Sequence, residues 1–251
     1  MICAVRKHVF LLNKLAHGII TNTKSIEDDY RQNNYFPDGF TRVIYNGISV
    51  PDFASGSERM LDFRRRFPGK QIVLSAGRLA RQKGFRYLIE AVALLPERHH
   101  DLMFIVLGDG KHKERLKALA EKEGVSEKIH FEGFVEDTSA YLAGSALFVL
   151  PSLYEGMSNA AMEAMALGKA VVMTNVNGAS ELVDDSGKGV LVPPADPQAL
   201  AEAISGLMDK PALRQRMGEN AAVHIQEHFR LSDMVDKLDA LIREKGAVVR
   251  H

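Results

Sequence analysis

From position 72 onward, short apolar runs alternate with longer stretches in which apolar residues recur every three or four positions. The runs occupy residues 72–76, 102–107, 129–134, 146–150, 170–174 and 189–192. Apart from 129–134, where His130 and Glu132 intervene, they are apolar nearly throughout rather than at every second position, which marks strands buried on both faces, as in a parallel sheet. Helical periodicity fills the intervals at residues 85–95, 113–123, 159–167 and 198–208. Repeated strand–helix–strand order predicts an α/β fold, a Rossmann-like doubly wound parallel sheet. Two further helices are predicted at 212–228 and 232–244, with Pro211 in the first turn of one and Gly246 ending the other.

The first fifty residues follow a different rhythm. Residues 5–15 read as a helix, 18–22 as a short strand, 25–33 as a helix and 42–45 as a strand running into the Asn46-Gly47 turn signal. One strand–helix–strand piece cannot close a core alone, so it reads as the tail of a preceding domain. The expected division is residues 1–50 as that remnant with a linker near 46–57, residues 51–230 as a ligand-binding domain, and residues 231–251 as a C-terminal helix.

Composition narrows the partners. Lys+Arg and Asp+Glu both number 32, so the formal net charge is zero and there is no global attraction for nucleic acid. Cys3 is the single cysteine and cannot form an internal disulfide, which fits a reducing compartment. No stretch approaches the roughly 18 apolar residues of a membrane span. Arg6 and Lys7 precede an apolar run that Asn13 and Lys14 break early, before the ~7–15 residues of an export signal. A cytoplasmic protein is expected, and the segment carrying Arg6, Lys7, His8 and Lys14 is a candidate contact with the inner membrane face.

Ligands of open parallel sheets bind beyond the carboxyl ends of the strands, and four strand ends carry suitable residues. Gly77 is followed by Arg78 and Lys83, two cations able to take a diphosphate, although most loop cations are simply solvated. Gly108 and Gly110 let backbone approach a ligand, but Lys113 stands where a dinucleotide fingerprint needs its third glycine. Gly133, Phe134 and Val135 end the third strand, where backbone could meet a base edge. The fourth segment runs from Glu155 through Gly156, Met157, Ser158, Asn159 and Ala160 to Glu163. Ser158 or Asn159 can cap a helix that starts with small residues and ends near Gly168, giving a phosphate cradle between two carboxylates. Those carboxylates suit sugar and ribose hydroxyls. No histidine joins them at ligand spacing, so no metal is expected. His99 and His100, in a charged loop, read as solvated, and Met157, Met162 and Met165 as core or pocket wall.

In this order, the segments resemble family 4 of the retaining glycosyltransferases, which have the two-domain GT-B fold. The likeness rests on Gly77-Arg78-Leu79 with Lys83-Gly84, on Gly108 and Gly110, and on Gly133 to Val135. It continues with Glu155 and Glu163 eight positions apart, Glu163 to Val172, Gly178 with Glu181-Leu182-Val183, and Gly189 with Leu191-Val192. The resemblance implies the C-terminal half of a GT-B fold, with residues 1–50 all that represents the acceptor domain. It implies that Arg78 and Lys83 hold the nucleotide diphosphate, and that Glu155 binds donor sugar hydroxyls. Glu163 would meet the ribose, Met157 to Ala160 the phosphates and sugar, and Gly133 to Val135 the base. Transfer would retain anomeric configuration without a metal or other cofactor. The sequence Glu155-Gly156-Met157-Ser158-Asn159-Ala160 resembles the branch that makes polysaccharides and lipid-linked glycans, implying a UDP-sugar donor and a glycan or lipid-linked acceptor. A separate N-terminal half or a membrane surface would be the further partners. Alternatives are a non-catalytic nucleotide-sugar-binding subunit or truncated inactive fragment, and a sugar-nucleotide epimerase or phosphorylase. A nicotinamide dehydrogenase is disfavoured by the failed glycine fingerprint.

Overall fold

The computed structural model describes residues 16–49, 58–184 and 187–248. The helix expected at 5–15 and most of the linker expected at 46–57 lie outside the described residues. Described residues of Val50–His228 form one compact unit, and those of Met1–Ser49 and Phe229–His251 form another.

In the smaller unit, β1 (Ile19–Thr21) runs parallel to β2 (Thr41–Val43), and α1 (Lys24–Gln32) connects them. Thr23 caps α1 by accepting a hydrogen bond from the Ile26 N–H at 3.3 Å, satisfying one of the donors a helix start leaves unpaired. Ile48 bridges to Arg230 in parallel, and Tyr45 meets Phe229 edge-on with ring centroids 5.7 Å apart.

The larger unit begins with α2 (Glu58–Arg65), which the apolar pattern did not signal, and continues β3 (Gln71–Ala76), α3 (Phe85–Ala93), β4 (Leu102–Leu107), α4 (Lys113–Lys122), β5 (Ile129–Gly133), α5 (Ser139–Gly144), β6 (Leu147–Leu150), α6 (Asn159–Ala166), β7 (Val171–Thr174), α7 (Ala179–Leu182), β8 (Val190–Val192), α8 (Pro197–Met208) and α9 (Pro211–His228). The last helix, α10 (Leu231–Val248), belongs to the smaller unit. It passes through Gly246 instead of ending there.

Six strands form one sheet in the order β5-β4-β3-β6-β7-β8, every neighbouring pair parallel. Counted from β3, that is the 3-2-1-4-5-6 order of a doubly wound dinucleotide-type sheet, and the winding reverses between β3 and β6. The central strands β6 and β7 are buried along their whole length. Phe85, Phe104 and Phe148 are among the largest fully buried side chains, and burial of such a residue contributes about 1.5–3 kcal/mol. Helix α3 packs against α4 and α8, α6 against α9, and α2 against α5.

One expected surface residue is inside. His99 is 5% exposed, held in a 3₁₀ turn with its Nε2 2.8 Å from the Ser205 hydroxyl. His130, in contrast, sits at the surface beside Glu132.

Candidate functional site

The crevice where β3 and β6 part company is built by two loops latched to each other. The Leu153 N–H donates to the Gln82 carbonyl at 2.7 Å, and the Gln82 side-chain amide donates to the Tyr154 carbonyl at 3.1 Å. Gly84, with φ +64°, brings the first loop so close to the second that a Cβ there would lie 1.8 Å from the Pro151 carbonyl oxygen. Buried Thr174 donates from its hydroxyl to the Ser152 carbonyl, tying β7 to the second loop.

The polar groups meet at this latch. Lys83 Nζ donates to Glu155 Oε2, with side chains only 18% and 15% exposed. The Ser152 hydroxyl donates to the same carboxylate oxygen at 3.2 Å. The Lys83 methylenes lie over Gly77, whose missing side chain leaves room for them. Arg78, exposed in the same loop, makes no side-chain hydrogen bond or ion pair among the described residues.

The loop after β6 then enters α6. Ser158 is the N-cap, accepting from the Ala161 N–H at 3.4 Å, and Leu167 with left-handed Gly168 closes the helix. Met157 and Ser158 are buried, Gly156 and Ala160 half-buried, and Asn159 exposed. Met162 and Met165 are buried beneath the helix. Glu163, about one turn in, accepts from the Thr138 hydroxyl at 3.3 Å. Burial pushes its carboxyl up, and the Thr138 hydroxyl draws it partly back.

The remaining glycine positions form one chain of close backbone approaches. Gly77 N–H donates to the Leu107 carbonyl, and Gly108 N–H to the Gly133 carbonyl. At Gly108, φ is +127° and a Cβ would come 2.0 Å from the Gly77 carbonyl oxygen, so no other residue fits. Gly110 follows Asp109, which pairs with Lys113 at 3.6 Å. Beyond Gly133, Phe134 is 80% exposed and Val135 half-buried, so the third strand ends one residue earlier than its apolar run.

The structure thus joins Lys83 directly to Glu155, places Arg78 in the Lys83 loop, and sets Glu163 on the helix that the Glu155 loop starts. Ser152, Thr138, Gln82 and Leu153 were not singled out from the sequence. Among the described residues, no three His, Cys, Asp or Glu side chains gather closely enough to hold a metal ion.

A parallel sheet in this order, with its winding reversed between β3 and β6, is a doubly wound α/β domain, a class whose ligands bind beyond the carboxyl ends of the strands. The chain belongs to the family described as glycosyl transferases group 1, which matches residues 58–224. It is 32% identical to alpha-D-kanosaminyltransferase of Streptomyces kanamyceticus, over 92% of this chain and 61% of that protein. It is 33% identical to the lipopolysaccharide core biosynthesis glycosyltransferase LpsE of Rhizobium meliloti, over 81% of this chain and 58% of that one. Among solved structures, sucrose-phosphate synthase of Thermosynechococcus elongatus superposes with TM-score 0.85 at 25% identity, covering 96% of this chain and 62% of its own. Anabaena HepE, solved with UDP and glucose, gives TM-score 0.88 at 24% identity, covering 95% and 66%. The chain therefore spans about three-fifths of the length of the relatives it matches. No helix among the described residues is long and apolar enough to cross a membrane.

Proposed function

We propose that this chain is the donor-binding portion of a family 4 retaining glycosyltransferase that moves a sugar from a UDP-sugar to a polysaccharide or lipid-linked acceptor. The observation that carries the reading is the Lys83–Glu155 pair, with unpaired Arg78 in the Lys83 loop, at the reversal point of the sheet. In this reading the diphosphate sits between Arg78, Lys83 and the α6 N-terminus. As the glycosidic bond breaks, negative charge grows on the departing diphosphate, and cations already fixed there stabilise that state more than the bound donor. No metal is needed for this step, because the two side chains supply the positive charge.

Glu155 accepts from donor sugar hydroxyls and Glu163 from the ribose, a role supported by its half-buried carboxylate and the single hydroxyl it now meets. Phe134 offers an exposed ring for the base. The acceptor wall of the cleft would come from a further N-terminal half. Residues 1–251 assayed alone are expected to bind donor with little transfer, since a cleft needs both walls to orient reactants and exclude water.

Calorimetry with UDP, GDP, ADP and a panel of UDP-sugars tests the reading. Glu163→Ala is expected to weaken UDP binding by about 1–3 kcal/mol through lost charged hydrogen bonds. Well-folded protein that binds no nucleotide sinks it. Retention is tested by the anomeric proton signal of the product once the chain is supplied with its acceptor half.

A further inference from the structure

The loop that carries Arg78 and Lys83 has a second face. A cavity of about 420 Å³ opens between the starts of α3 and α4, lined by Ala80 and Arg81 of that loop but by neither Arg78 nor Lys83. Its floor is apolar: Phe85 and Leu116 are buried, and Leu119 packs beside them. At its rim stand Arg81, Arg115 and His112, and no acidic residue lines it.

A third arginine of the lining, Arg86, is neutralised by Glu90 at 2.7 Å, but the other two are not. Arg81 and Arg115 are exposed and make no side-chain hydrogen bond or ion pair among the described residues. The other nearby acids are engaged by lysines outside the lining: Glu114 by Lys117 at 3.3 Å and Asp109 by Lys113 at 3.6 Å. Two unpaired guanidinium forks over an apolar floor match a ligand with a compact oxyanion at one end and a hydrocarbon body at the other. Guanidinium prefers phosphate, which it can grip with two parallel hydrogen bonds. The volume lies within the range of small-molecule sites.

From this juxtaposition we infer a second ligand site, which adjoins the crevice through Gly84 and Leu153 but uses none of Arg78, Lys83, Glu155 or Glu163, and which takes a phosphate ester carried on an apolar body. The phosphate lies between Arg81 and Arg115 with the His112 ring as a further donor, and the apolar part covers Phe85, Leu116 and Leu119. The inference does not depend on what the crevice binds. Because the His112 N–H donates to the Leu79 carbonyl at 3.1 Å, an occupant here also touches the loop that presents Arg78 and Lys83.

The test is binding of dihexanoyl phosphatidic acid, kept below its micelle concentration, to the full chain. Saturable binding is expected, weakened about tenfold or more by Arg115→Ala, as for loss of one charged hydrogen-bond donor. Arg115 is exposed and unpaired, so its truncation leaves the fold intact, checked by an unchanged melting temperature. The Arg81→Ala/Arg115→Ala pair should abolish binding. Vesicles of phosphatidylglycerol in phosphatidylcholine, compared with pure phosphatidylcholine, distinguish the source. Arginine-dependent vesicle binding makes the ligand a membrane lipid, and binding of the short-chain probe alone makes it a soluble phosphate ester. Three outcomes overturn the inference: no binding of either probe, binding indifferent to both substitutions, or inorganic phosphate binding as tightly as the amphiphile.

Discussion

Lys83 and Glu155 form an ion pair across the point where the winding of the sheet reverses, one from the loop after β3 and one from the loop after β6. In the chain by itself each charge answers the other. In the proposed function a diphosphate competes with Glu155 for Lys83, and its binding frees the carboxylate for hydroxyl groups. Lys83→Ala is expected to weaken UDP binding about tenfold or more. Glu155→Gln is expected to leave UDP affinity equal or raise it a few-fold, while removing any advantage of a UDP-sugar over UDP. Titration calorimetry of both variants against both ligands checks this. Equal weakening of UDP by the two substitutions would identify the pair as a structural clamp.

The approach of the two loops is steric as well as ionic. Gly84→Ala combines a left-handed backbone with a Cβ placed 1.8 Å from the Pro151 carbonyl oxygen, and is expected to lower stability by about 2–4 kcal/mol. Gly124→Ala is the matched control: its φ is +69° but its Cβ would meet nothing within 4 Å, so a loss of about 1 kcal/mol is expected. Thermal or urea unfolding of the two variants measures the difference.

Phe134 stands at the third strand end with its ring in solvent, so its removal costs the fold little. Phe134→Ala is expected to keep the melting temperature within about a degree and to weaken nucleotide binding by about 1 kcal/mol, the worth of an aromatic contact. Unchanged affinity for every nucleotide tested would remove Phe134 from the proposed base site.

Glu132 gives a pH dependence separate from the site. The Arg66 guanidinium, with both nitrogens 2.7 Å from its oxygens, together with the Tyr141 hydroxyl, holds the Glu132 carboxyl down at about 2, from an ordinary 4.5. A depressed carboxyl stabilises the fold above its unfolded value, and that contribution disappears as pH falls from 4.5 through about 2. Arg66 is partly exposed, so solvent screening limits the effect. Glu132→Gln is expected to cost about 1–2 kcal/mol at pH 7 and progressively less below pH 4.5. Urea titrations at several pH values would show the two curves converging in acid.

The sheet was legible because most of its strands are apolar nearly throughout: residues 102–107 became β4 unchanged, and only β5 alternates, with His130 and Glu132. The elements that escaped are those with little apolar signal. Helix α2 buries Phe63 among charged neighbours, and α5 is six residues long. His99 looked solvated because its neighbours Glu97, Arg98 and His100 are polar, yet its ring turns inward to Ser205, more than a hundred positions away. The same limit applied at the site. Glycines and charges at strand ends were visible as local spacing, so Lys83 and Glu155 were found. Thr138, which meets Glu163 across 25 positions, was not, because the crossover through α5 brings them together.

The bond from Leu153 N–H to the Gln82 carbonyl runs between atoms that every residue possesses. This one tie between the loops therefore does not depend on which side chains stand at positions 82 and 153. Exchanges at exposed positions such as Arg78, Tyr154 or Asn159 can alter what the crevice prefers without moving its walls. A scaffold tied through its backbone in this way can acquire a new ligand preference by point substitution while that tie persists.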